Sequence, residues 1–105
     1  MAVSIAENVH QNISGIEEQR LNEFKANPGW GGQKITVEVN HGKRSVNHTT
    51  YGTGITHVSI FYDKVGDDYQ IIGIGAHDGT KGGKTAYRAL WNGRGGHRVQ
   101  VLIVK

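Results

Sequence analysis

Residues 56–77 read THVSIFYDKVGDDYQIIGIGAH. Val58, Ile60 and Tyr62 alternate with His57, Ser59 and Phe61, the period of two that sends successive side chains to opposite faces of a strand. The turn-forming run Lys64-Val65-Gly66-Asp67-Asp68 interrupts the pattern, and residues 69–77 resume it with paired isoleucines. The spacing predicts strands over 55–63 and 69–77 joined as an antiparallel hairpin. Gly73 and Gly75 fall on one face of the second strand, and a face left so bare calls for a bulge or a close neighbour.

Upstream, residues 33–40 (QKITVEVN) alternate as cleanly, with Ile35, Val37 and Val39 on one face. Residues 41–54 (HGKRSVNHTTYGTG) are polar and rich in turn formers, and read as a loop with room for a short strand around Ser45–Thr49. Residues 4–26 read as a helix. Ala6, Val9, Ile13, Ile16 and Phe24 recur at three- and four-residue steps with Leu21 beside them. Gly15 weakens the middle by about 1 kcal/mol relative to alanine, so two shorter helices are the alternative. Asn27-Pro28-Gly29 stops the pattern, and Trp30, beside Gly31 and Gly32, is placed as a cap on one end of the core. Downstream, residues 84–91 (KTAYRALW) fit a short helix or a strand, and residues 97–104 (HRVQVLIV) form a last strand. A chain of 105 residues has room for one core, so residues 1–105 form a single domain. The expected class is α+β: an N-terminal helix, or two, packed on a roughly four-stranded antiparallel sheet.

The absence of cysteine rules out disulfides, thiolate zinc sites and a cysteine nucleophile. No apolar run reaches the roughly 18 residues of a membrane span, and no basic-then-apolar leader opens the chain, so a cytoplasmic protein without a membrane partner is expected. The net charge of +3 conceals an asymmetry. Residues 1–78 hold six Lys/Arg against nine Asp/Glu, whereas residues 79–105 hold six Lys/Arg and no acid. A one-sided cationic segment favours an anionic partner such as RNA, DNA or an acidic protein.

That segment is also rich in glycine: residues 73–98 read GIGAHDGTKGGKTAYRALWNGRGGHR. Gly79-Thr80-Lys81-Gly82-Gly83-Lys84-Thr85 resembles a nucleotide-binding P-loop, but Asp78 stands where the first glycine belongs. Gly73-x-Gly75 lacks the βαβ setting and the distal acid of a dinucleotide loop. Six histidines (His10, His41, His48, His57, His77 and His97) show no metal-ligand spacing, so neither a metal nor another cofactor is expected. They do fit metal-independent RNA cleavage, which needs a base for the 2′-OH, an acid for the leaving 5′-oxygen and cations for the phosphate. His77 and His97, at the entry and exit of the glycine-rich stretch, are the candidate acid–base pair, with Lys84 and Arg88 completing the catalytic set. Lys81, Thr85, Tyr87, Trp91, Arg94 and Arg98 are the candidate nucleic-acid contacts. The same residues suit a non-catalytic nucleic-acid- or protein-binding module working through the basic segment 79–98, with Tyr51, Tyr87 and Trp91 stacking bases. An interaction protein that uses the glycine-rich stretch as a partner loop is the third class.

With a helix ahead of four antiparallel strands over residues 4–104 and the hairpin THVSIFYDKVGDDYQIIGIGAH at its centre, the pattern resembles the compact RNase-toxin fold of the RelE and ParE toxins and the colicin-type nuclease domains. The resemblance implies a small, basic, metal-independent endoribonuclease with an acidic antitoxin or immunity protein as partner, or an inactive relative. Many RelE toxins carry a His-Arg pair at the end of the later hairpin strand. Here Asp78 follows His77, so that arginine has no counterpart. The ParE branch poisons gyrase instead of cutting RNA, so the fold alone does not fix the chemistry.

Overall fold

Strand alternation governs far more of the chain than residues 56–77. The computed structural model describes residues 2–52 and 57–104. In chain order they form β1 (Val3–Ile5), α1 (Gly15–Ala26), β2 (Gln33–Val39), β3 (Gly42–Tyr51), β4 (Val58–Val65), β5 (Asp68–Lys81), β6 (Lys84–Trp91) and β7 (Arg98–Ile103). The strands belong to one seven-stranded sheet in the order β1-β5-β4-β3-β2-β7-β6, and a further pairing of β5 with β6 closes it. Apart from β1, the sheet is thus a ring in which β2 to β7 follow one another as antiparallel neighbours and β7 returns to β2. β1 lies parallel to the start of β5, Val3 to Ile5 against Tyr69 to Ile71, on the edge that β6 leaves open. This overturns the expected helix on a four-stranded sheet.

Two local misreadings account for the difference. The short strand allowed around Ser45–Thr49 is a full strand from Gly42 to Tyr51 in place of most of the expected loop, whose residues 53 and 54 lie outside the described ones: Asn40 and His41 both take positive φ (54° and 69°), the requirement of a two-residue turn whose twist matches a hairpin. β3 therefore pairs with β2 from Gly42 onward and with β4 through Tyr51. Nor is residues 4–26 one helix. The helix begins at Gly15, where Ser14 and Glu17 form a reciprocal capping box: the Glu17 amide donates to Ser14 Oγ at 3.1 Å and the Ser14 amide donates to Glu17 Oε1 at 2.9 Å. Ala6 and Val9 are buried, but from the segment between β1 and the helix. The two-state choice for residues 84–91 resolves as a strand, and the expected start of the second strand at 55 lies outside the described residues.

Register assigns the faces. Val37, Val46, His48, Ser59, Phe61, Gly73, Gly75, Tyr87, Ala89, Trp91 and Val101 share one side of the ring. That side is the barrel interior, because His48 of β3 and Phe61 of β4 both meet Tyr87 of β6, a strand adjacent to neither, with centroids 5.6 and 5.5 Å apart. Gly73 and Gly75 make room for this packing. A Cβ on Gly73 would strike the Trp91 indole, and one on Gly75 would strike the backbone of Arg88 and Ala89. The register shift expected near these glycines occurs beside Phe61 and Tyr62. Ile60, Tyr62, Ile71 and Ile74 point outward yet are buried, because the N-terminal segment and α1 cover them. Phe24 of α1, fully buried, sets its ring 5.0 Å from Tyr62 and 6.0 Å from Tyr69. The buried residues thus form one cluster that extends from the barrel interior to the layer under the helix.

Candidate active site

Extending the β4–β5 ladder outward from Ser59 and Gly75 sets His57 across from His77, both facing inward at one mouth of the barrel. Their rings lie 6.2 Å apart at 89°, and both border Tyr87, at 6.4 and 5.6 Å. Tyr87 pairs with His77 across β5 and β6, so the same ladder fixes all three. Together with Thr85 they line an open cleft of about 380 Å³. Below them His48 stacks on Phe61 at 5.0 Å, and its Nε2 is 3.2 Å from the Ser59 hydroxyl. Strand alternation alone would scatter polar side chains over the solvent face. Here it gathers three histidines, a serine and a tyrosine on the inward face, where they end the apolar core.

Burial, and then the charge of His57, push the His48 imidazole down to about 4. Burial and then the charge of His77 lower that of His57. His57 is thus a neutral imidazole at physiological pH, able to accept a proton, and a proton on His77 opposes one on His57. Its Nδ1 is buried without a hydrogen-bond partner among the described residues. No group of three or more His, Cys, Asp or Glu among the described residues is placed to hold a metal ion, and no helix there is long and apolar enough to cross a membrane.

No family model, curated protein or solved structure matches the chain. The reading of the site therefore rests on its own geometry.

That geometry separates the residues that the sequence suggested. The glycine-rich stretch is not one loop. Gly82 and Gly83 (φ 58° and 79°) are the two-residue turn between Lys81 of β5 and Lys84 of β6, and Gly93, Gly95 and Gly96 belong to the β6–β7 connection at the far end. His77, Thr85 and Tyr87 collect at the mouth with His57, while Lys81 pairs with Lys84 beside the β5–β6 turn beyond it. His97 does not. His77 shares a row with Tyr87 and Val101, and His97 lies four residues before Val101. At roughly 3.3 Å per residue that is about 13 Å along the strand, so His77 and His97 cannot act as an acid–base pair on one phosphate.

The other candidates take up different positions. Lys84 reaches Glu38 on the outer face at 3.7 Å, and Arg88 is exposed on that face. Arg94 lies at the far end in a cleft with His41 and Glu38. Trp91 is 6% exposed and packs on Phe61 at 5.4 Å inside the barrel, out of reach of a base. Arg98 is held by Glu17, with its two terminal nitrogens 2.7 and 2.6 Å from the two carboxylate oxygens. Burial alone would raise the Glu17 pKa, but hydrogen bonds from Arg98 and Ser14 outweigh it and hold the carboxyl below its usual value. Arg98 thus ties the helix to the barrel and is not available to a phosphate. Sequence reasoning passed over His57 as a site residue, although its in-phase spacing with Ser59 and Phe61 placed it on the core face. His48 falls in the short strand allowed around Ser45–Thr49, but that segment offers no apolar phase to show which way it faces.

Proposed function

We propose that the protein is a metal-independent endoribonuclease whose active site is the barrel mouth, with His57 as general base and His77 as general acid. The observation that carries this reading is the pair of imidazoles whose rings lie 6.2 Å apart and that line one open cleft with Thr85 and Tyr87. RNA transesterification needs the base beside the attacking 2′-oxygen and the acid on the opposite side of phosphorus, beside the departing 5′-oxygen. His57, neutral at physiological pH, takes the 2′ proton; His77 delivers one to the leaving group. The Thr85 and Tyr87 hydroxyls face the phosphate between them, and Lys81 near the β5–β6 turn adds positive charge. A cytoplasmic role against cellular RNA, with an acidic antitoxin or immunity protein covering the mouth, follows from this reading and from the acid-free segment 79–105.

Incubation with total RNA in EDTA tests it. Cleavage is expected, and His57→Ala and His77→Ala should each slow it by about 100-fold or more. His97→Ala should stay within about twofold, being at the opposite end. Intact RNA that nonetheless binds the protein in a salt-sensitive way would replace the enzyme with the non-catalytic nucleic-acid-binding module.

A further inference from the structure

Trp30 is 59% exposed, an unusual position for the largest apolar side chain in a small domain. It is nevertheless held in place. Its carbonyl accepts a hydrogen bond from the buried Thr49 hydroxyl at 2.7 Å, and its ring stacks on Tyr51 with centroids 6.1 Å apart and planes 27° from parallel. The loop that carries it is set by Gly29 and Gly31 in positive φ and by the Gly32 amide, which donates to the Gly29 carbonyl at 3.1 Å. Any side chain on Gly32 would collide with the Tyr62 hydroxyl. A fixed indole with one face turned to solvent is a ready stacking surface, because little ordering entropy remains to be lost on binding.

The groove beside it measures about 500 Å³ and is lined by Glu23, Asn27, Trp30, Thr50, Tyr51 and Gly52. Its position links it to the mouth. Tyr51 pairs with Val58, the residue after His57, and Thr50, which lines the groove, pairs with Ser59 beneath the histidines. Glu23 brings a carboxylate to this aromatic wall. One of its oxygens accepts from Arg20 at 2.8 Å, and its charge, after burial, contributes to raising the Tyr51 hydroxyl.

We propose that the Trp30–Tyr51 groove is a nucleobase subsite, selective for guanine, that seats the base next to the phosphate held at the histidine mouth. Trp30 stacks the base and Glu23 reads its edge. Guanine offers two adjacent donors, N1–H and the 2-amino group, to a single carboxylate. Uracil offers one N–H flanked by two carbonyl oxygens, which the carboxylate repels. Asn27 and Thr50 supply the remaining polar contacts. The assignment of the neighbouring phosphate rests on the ribonuclease reading; the base subsite stands on its own residues.

The test is titration of the intact protein with guanosine 5′-monophosphate and with uridine 5′-monophosphate, followed by tryptophan fluorescence and by calorimetry. Trp91 is buried, so quenching reports Trp30. Saturable quenching is expected, at least tenfold tighter for the guanosine nucleotide. Trp30→Ala should abolish the calorimetric signal, Glu23→Gln should bring the two nucleotides within about threefold, and His77→Ala should leave base preference intact. No saturable quenching, or a guanosine preference that survives Glu23→Gln, would overturn the subsite. RNA cleavage without quenching would sink the subsite alone, whereas guanosine-selective quenching without cleavage would uphold it and sink the enzyme.

Discussion

His48 shows how a polar side chain on the inward face of a barrel couples stability to pH. It points into the interior, stacked on Phe61, with the Ser59 hydroxyl within hydrogen-bonding reach of Nε2. Its folded-state pKa of about 4 lies below the unfolded value of 6.5. Between those two values the unfolded chain binds a proton that the folded chain refuses. The stability due to this neutral imidazole is thus fully present above pH 6.5 and is lost as pH falls toward 4. Discounted for partial exposure, the loss between pH 6.5 and 4.5 should be about 1 kcal/mol. Urea midpoints across that range should fall steeply in the native protein and less steeply in His48→Gln. His57, lowered in the same direction, contributes to the slope that remains. Equal slopes in the two proteins would mean that His48 does not carry the effect.

At the scale of elements, the clamp between α1 and β7 decides how Arg98 should be read. The Arg98 guanidinium holds both oxygens of Glu17 and reaches the Asn12 carbonyl at 3.3 Å, while the Asn12 amide donates to the Gly96 carbonyl at 2.7 Å. Arg98→Ala strands a buried carboxylate and should cost about 3 kcal/mol in chemical denaturation. Glu17→Gln, which keeps an acceptor for Arg98, should cost less. Neither change should alter the salt dependence of RNA binding by the folded protein; a drop in that slope for Arg98→Ala would return this residue to the phosphate-binding set. The same clamp shows what the sequence could reveal. The β4–β5 hairpin was legible because its apolar residues alternate and a turn separates them. The start of α1 was legible in Ser14-x-x-Glu17, but the run from Ala6 to Phe24 imitates helical spacing while Ala6 and Val9 pack from an irregular segment. β3 was obscured because its inward face mixes Val46 with His48 and Thr50, so neither face reads as apolar. Part of the candidate site followed from this: His77 lies on a strand whose phase is readable, whereas Thr85 and Tyr87 lie in a segment that fits a helix or a strand, His48 lies in a polar segment with room for only a short strand, and His97 is separated from His77 by two strands and two turns.

Across the whole molecule, ring closure turns a cationic segment into two separate groups of charge. Lys81 lies beside the turn above the histidine mouth; Arg94 lies at the opposite end, and Arg88 faces outward between them. An ordered loop holding all of these cations around one phosphate is therefore not what the topology builds. Toward the opposite end Arg44 of β3 is paired with Asp63 of the neighbouring β4. A nucleic acid seated at the histidine mouth should then feel Lys81 directly and Arg94 hardly at all, since beyond about 8 Å physiological salt screens most of the interaction. Lys81→Ala should weaken RNA binding and lower the slope of log K against log salt by about 1, whereas Arg94→Ala should leave the slope unchanged. Filter binding of a short single-stranded RNA between low and moderate salt, with His77→Ala as the background to prevent cleavage, measures both. A slope that falls for Arg94→Ala but not for Lys81→Ala would place the nucleic acid at the other end of the barrel and remove the histidine mouth from consideration.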